Sequence, residues 1–277
     1  MSKLIRSDFK RVLKDKLFVV VGILAVGFAV VTPLLYMVLM GVLQDTDEVT
    51  KELISSFVTA KGQFFGAFSF GNNFGLVAPL LIGIILYKDF GQGTVRNKVI
   101  AGYSRVSIFL SNFITCFVSL FGVVLAHALI TLLVCLPFFE YQAEPFVMTD
   151  FWYLLESLFF QMLVYMFVSA FVSYLCVTKK NIGLFLVVYI AVVLGFSMVA
   201  GILEVVMYTL ATQPGMKDIV NAIELVQKIN IFNSSANIGM GISYQAEDLL
   251  YYILTPVLLI CGMLGFGVWR FSKRDLK

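Results

Sequence analysis

The sequence predicts an all-α membrane protein with six membrane-spanning helices and both termini on the same side. Three observations carry this. The 277-residue chain is 60% hydrophobic and 13% charged, against about 25% charged in a soluble domain. Its mean hydropathy is +0.94. Its lysines and arginines segregate sharply between alternate polar segments. The apolar runs are long enough for helices of roughly 20 residues, each crossing about 30 Å of hydrocarbon. They leave no room for a sizeable soluble domain, so residues 1–277 read as a single transmembrane domain.

Residues 1–16 carry Lys3, Arg6, Lys10, Arg11, Lys14 and Lys16. Leu4, Ile5, Phe9, Val12 and Leu13 recur among them at near-helical spacing. This predicts an amphipathic helix lying in the headgroup region. The apolar run that follows is too long for a signal-peptide core and has no A-x-A site, so it is expected to remain as an anchor.

The spans are predicted at about 17–43, 64–87, 108–138, 151–177, 182–210 and 249–269. Pro33 interrupts the first, beside small residues that permit close helix approach. The second is less uniform, because Asn72 and Asn73 break it and Pro79 follows. Two readings stand: an irregular or re-entrant outer end, or a span that starts only at Phe74. The third holds His127, the only histidine, and ends at Pro137. Trp152 and Tyr153 open the fourth at the depth of an aromatic belt. The fifth carries Glu204 near its outer end, either a contact on a substrate path or an acid that reaches water. Tyr251, Tyr252 and Trp269 edge the sixth. Residues 211–248 are read as extracellular. Within them Ile219, Val220, Ile223, Val226 and Ile229 suit an amphipathic helix, followed by the polar run NSSANIGMGIS. That segment reads as a surface helix or as a lid or re-entrant piece.

Charge sets the orientation. Sixteen of the twenty Lys and Arg residues fall in the N-terminal segment, the 88–107 loop, the Lys179–Lys180 turn and the tail. The opposite side holds only Lys51, Lys61, Lys217 and Lys228, among acids at Asp45, Asp47, Glu48, Glu52, Glu140, Glu144 and Asp150. The positive-inside rule then places both termini in the cytoplasm.

Several chemistries are missing. There is no G-x-x-x-x-G-K-[ST], H-E-x-x-H or G-x-S-x-G pattern. One histidine does not supply the paired ligands of a zinc protease. The four cysteines sit in apolar runs without metal-ligand spacing and read as packing residues. The small net charge of +3 gives no reason to expect nucleic-acid binding. The chain is therefore expected to hold no catalytic site, metal or cofactor.

The segment Tyr87–Asn112, YKDFGQGTVRNKVIAGYSRVSIFLSN, is the longest polar interruption on the basic side. Thr94 to Ile100 suits a short helix with Val95, Val99 and Ile100 on one face. As a bare pattern it is a connector or a docking surface. Asp89, Gly93-Thr94 and Ser104-Arg105 leading into a span resemble the acid–GT–SR run after the second span of ABC-2 type transporter permeases. Size and layout extend that resemblance over nearly the whole chain, although Asp89 stands where Glu is common.

The resemblance implies a bacterial cell-membrane permease subunit of an ATP-driven exporter. Residues 1–16 would be an elbow helix and 88–107 a coupling loop seated in a groove of a separate ATPase. The coupling residues would be Asp89, Gly93, Thr94, Val95, Arg96, Lys98, Val99 and Arg105. Two ATPase subunits, which hold ATP and Mg, and a second permease copy, most simply an identical one, would complete the assembly. The path between permeases, with Asn72, Asn73 and Glu204 as candidate path or gate residues, would carry a hydrophobic or amphipathic cargo, by family habit a peptide. The alternative is a stand-alone six-span secondary transporter or channel.

Overall fold

The computed structural model describes residues 1–42, 59–71, 73–91, 93–142, 145–179, 181–213, 215–239 and 248–274. Among these residues every regular element is helical. In order they are α1 (Ser2–Lys14), α2 (Lys16–Val42), α3 (Ala60–Phe68), α4 (Asn73–Gly91), α5 (Thr94–Ile100), α6 (Arg105–Cys135), α7 (Met148–Thr178), α8 (Ile182–Ala211), α9 (Lys217–Ile229), α10 (Ile231–Gly239) and α11 (Leu249–Ser272). Six of them, α2, α4, α6, α7, α8 and α11, are long and apolar enough to cross a membrane.

The helix ends follow local chemistry. Ser104 caps α6 by accepting from the Ser107 N–H at 3.2 Å, so the third span begins at Arg105, three residues before the expected boundary. It stops at Cys135, two residues before Pro137, whose ring supplies no N–H to continue the helix. Asn181 caps α8 through its side-chain oxygen, 2.7 Å from the Leu184 N–H.

α7 is the axis of the bundle: 83% of its most apolar stretch is buried, against 22% for α2, 17% for α8 and 11% for α11. The main core runs from Val21 and Ala25 of α2 through Phe74, Ala78 and Ile82 of α4 and Leu120 of α6 to Tyr165 and Val168 of α7. His127 belongs to it. Its Nδ1 lies 2.8 Å from the Ala25 carbonyl and its ring lies 4.6 Å from that of Phe74. Those contacts make it a packing and bridging residue between α6, α2 and α4. Cys116, Cys135 and Cys176 are buried free thiols, and Cys261 is exposed.

The second span departs from the expected 64–87. The chain there forms two helices, α3 and α4, separated at Ser69–Gly71, and the membrane-length piece starts at Phe74. Polar groups from other helices satisfy the backbone that the break frees. The Ser235 hydroxyl accepts from the Phe70 N–H at 2.9 Å, and the Tyr165 hydroxyl donates to the Phe68 carbonyl at 3.1 Å. Gln161 of α7 in turn binds Ser235, accepting from its hydroxyl at 2.7 Å and donating to its carbonyl at 2.9 Å. Such pairing lets an irregular backbone stay buried.

The polar stretch after α8 also enters the bundle. α9 leans on α8, with the Gln227 amide donating to the Ala200 carbonyl at 2.7 Å. α10 is packed against α3 and α7, burying Ile231, Phe232, Ser235 and Ile238. Lys228 fastens this region to the start of α11 through Asp248 at 2.8 Å, and Lys61 joins α3 to Asp150 of α7 at 2.7 Å. Lys61 and Lys228 are thus both neutralised.

Candidate functional site

The opposite pole gathers the basic residues. The end of α4, the start of α6 and the ends of α7 and α11 meet there, together with α1 and α5. A small second core of Leu4, Val95, Ile108, Phe109, Val177 and Phe271 holds them. α11 approaches α6 closely at Gly267, where a Cβ would lie 2.2 Å from the Phe109 ring.

α5 spans Thr94–Ile100. Gly93, at its start, has φ +74°, and Gly102, just beyond its end, has φ +87°. Both conformations favour glycine, so the two residues set the turns that bring this helix back onto the bundle. Val95 is buried and Val99 half-buried against the second core. Ile100 was expected on the same face but is 74% exposed. Four residues separate Val95 and Val99, which aligns them; one residue more turns Ile100 out by about 100°. The outer face of α5 is therefore Arg96, Asn97 and Ile100, with Thr94 at its edge.

A buried charge network ties α5 in place. Asp89, at the end of α4, is 1% exposed and pairs with Arg11 of α1. Lys98 of α5 lies 3.4 Å from Asp89 and 2.7 Å from Asp8 of α1. Asp8, 3% exposed, also accepts from the Ser111 hydroxyl of α6 at 2.7 Å. Two acids, two bases and the Ser111 hydroxyl thus join four helices. Burial pushes the Lys98 ammonium and the Arg11 guanidinium below their ordinary pKa values, and Asp8 opposes that shift in both. Lys88 adds an exposed-side link to Asp15 at 2.8 Å. Partial burial would raise the Asp15 pKa, but the hydrogen bonds from Lys88 and the Leu17 N–H outweigh it and leave the pKa lowered.

No family model and no curated protein matches the chain.

The candidate residues therefore divide by position. Asp89, Val95, Lys98 and Val99 face inward and hold α5, whereas Gly93, Thr94 and Arg96 border the surface. Arg105 does neither. Its Nη1 donates to the carbonyls of Phe271, Ser272 and Arg274, at 3.1, 2.7 and 2.7 Å, and so fastens the end of α11 to the start of α6. Asn72 lies outside the described residues, and Asn73 opens α4. Glu204 is exposed on α8, away from the charged pole. Glu204 is not joined to the network.

Sequence reasoning passed over Asp8, which sits four residues from both Leu4 and Val12. That spacing puts an acid in the middle of the buried stripe of α1 and was the available signal. It also passed over Ser69, Gln161 and Ser235. Among the described residues no group of His, Cys, Asp and Glu suits a metal ion.

Proposed function

We propose that this chain is the membrane-spanning permease subunit of an ATP-driven exporter of the ABC-2 type, coupled to a separate ATPase. One observation carries the reading. A short helix between the second and third spans is locked to the bundle on one face by buried charges, and on the other it offers Arg96, Asn97 and Ile100 to a partner. A flexible connector has no use for a four-helix charge network beneath it. A lever that must pass a push into the spans does, because force reaches α4, α6 and α1 only through a rigid joint.

Both termini and the basic pole face the cytoplasm in this reading, as the positive-inside rule requires. The exposed apolar faces of α2 and α8 suit contact with a second copy of the chain, with the cargo path between copies. α10 packs beside the break in the second span, and in this reading it serves as the outer gate. Span faces rich in Phe, Val, Leu and Met fit an amphipathic or apolar cargo, a peptide being the first candidate.

The test uses the outer face of α5 and spares its anchors. The double substitution Arg96→Glu and Ile100→Glu is expected to leave unfolding in detergent within about 0.5 kcal/mol of the parent, as for exposed sites. The same variant is expected to lose roughly tenfold or more in retention of the ATPase during co-purification, as charge reversal does at an interface. Full retention by the double variant would refute the docking role of α5.

A further inference from the structure

The ends of α7 and α11 enclose a cavity of about 230 Å³ on the basic pole, lined by Val177, Thr178, Arg270, Lys273 and Arg274. Arg270 lies in the last turn of α11, and Lys273 and Arg274 follow directly after its end at Ser272, so three cations crowd one side of the cavity. Like charges gathered around one cavity repel, so the cluster is unfavourable unless something neutralises it. The natural candidates are the carbonyl ends of the two helices, which carry partial negative charge. They are already occupied. Arg105 takes the carbonyls of Phe271, Ser272 and Arg274. Arg274 itself donates to the carbonyls of Cys176 and Val177.

Arg270 and Lys273 are left facing the cavity without an acceptor. Among the described residues Arg270 has neither an ion pair nor a hydrogen bond, and Lys273 only stands over the Trp269 ring, 4.6 Å from its centre. No carboxylate among those residues pairs with any of the three cations; Asp275, next in the chain, lies outside them. The surroundings give the depth. Trp269 is 51% exposed and Phe266 64% exposed on the same apolar span. A tryptophan followed by cations at the end of a span marks the headgroup layer.

We propose that this cavity binds the phosphate of an anionic phospholipid headgroup, held by Arg270 and Lys273 with its acyl chains along α11. A phosphate supplies the multiple acceptor oxygens that an unpaired guanidinium and ammonium need, and basic pockets between spans recognise such headgroups. The inference rests on the membrane placement of α7 and α11 and is independent of the transport reading.

The experiment uses the full chain in neutral detergent. Thermal unfolding is followed while phosphatidylglycerol, phosphatidylcholine or inorganic phosphate is added. Phosphatidylglycerol is expected to raise the midpoint and phosphatidylcholine is not. The double variant Arg270→Gln and Lys273→Gln should need roughly thirtyfold more phosphatidylglycerol for half the effect, at about 1 kcal/mol for each basic residue. Arg274 is left intact because it caps α7. A control removes two other charges from the same pole, Lys3→Gln and Lys10→Gln, and should respond like the parent. Equal stabilisation by inorganic phosphate at the same concentration would overturn the lipid assignment. An equal loss in both double variants, or no loss in the cavity variant, would overturn the site.

Discussion

Replacing Asp89 by alanine is expected to destabilise the folded chain by about 3–5 kcal/mol, the usual cost of stranding a buried charge. The carboxylate is 1% exposed and faces two cations, Arg11 and Lys98. Without it, the Arg11 guanidinium keeps no hydrogen-bond partner among the described residues, and Lys98 keeps only Asp8. The acid–GT–SR resemblance implied only a coupling role for Asp89. Its position inside the network makes the fold the first casualty. Unfolding by denaturant in detergent measures the loss, and the Asp89→Ala, Lys98→Ala double variant should be less unstable than the sum of its parts, because these residues share one network. A loss under about 1 kcal/mol for Asp89→Ala would show that the four charges do not hold α5.

Gly75→Ala is the second large effect. A Cβ there would lie 2.6 Å from the Ser69 carbonyl oxygen and 2.8 Å from that of Phe70. Both are backbone atoms at the break between α3 and α4, so neither can swing aside as a side-chain tip would. Overpacking costs about 1–3 kcal/mol in general, and contact with fixed backbone puts this case near about 3 kcal/mol. The break must shift to relieve it, which disturbs the Ser235 bond to Phe70 and the seat of α10. The unfolding midpoint in detergent should therefore drop, and hydrogen exchange in residues 60–71 should speed up. Unchanged exchange there would mean that the break is not set by this contact.

Much of the fold was legible because its signals are strong and local. Six long apolar runs, bounded by charges that alternate in sign from loop to loop, leave little freedom in topology. The α5 helix was legible from the valine spacing and the two flanking glycines. The network beneath it was not. Asp8 went unremarked and Asp89 stood out only through the acid–GT–SR run; tertiary packing is what brings both within reach of Lys98. The pairing across the second-span break was hidden for a different reason. Ser69, Ser235 and Gln161 are separated by long stretches of chain, and a serine in an apolar run looks the same whether it faces lipid or binds a buried N–H. Arg105 shows the converse. The Ser-Arg pair stood out in the sequence, and its serine caps α6 while its arginine clasps the end of α11. Both contacts are structural.

The central claim is that the chain transmits force it does not generate. Reconstitution into sealed vesicles tests it directly, with uptake of a labelled amphipathic peptide followed against its gradient. The account predicts accumulation only when an ATP-hydrolysing partner and Mg-ATP are both present, and none with the chain alone under ion gradients of either direction. Uphill accumulation by the purified chain without that partner would contradict it.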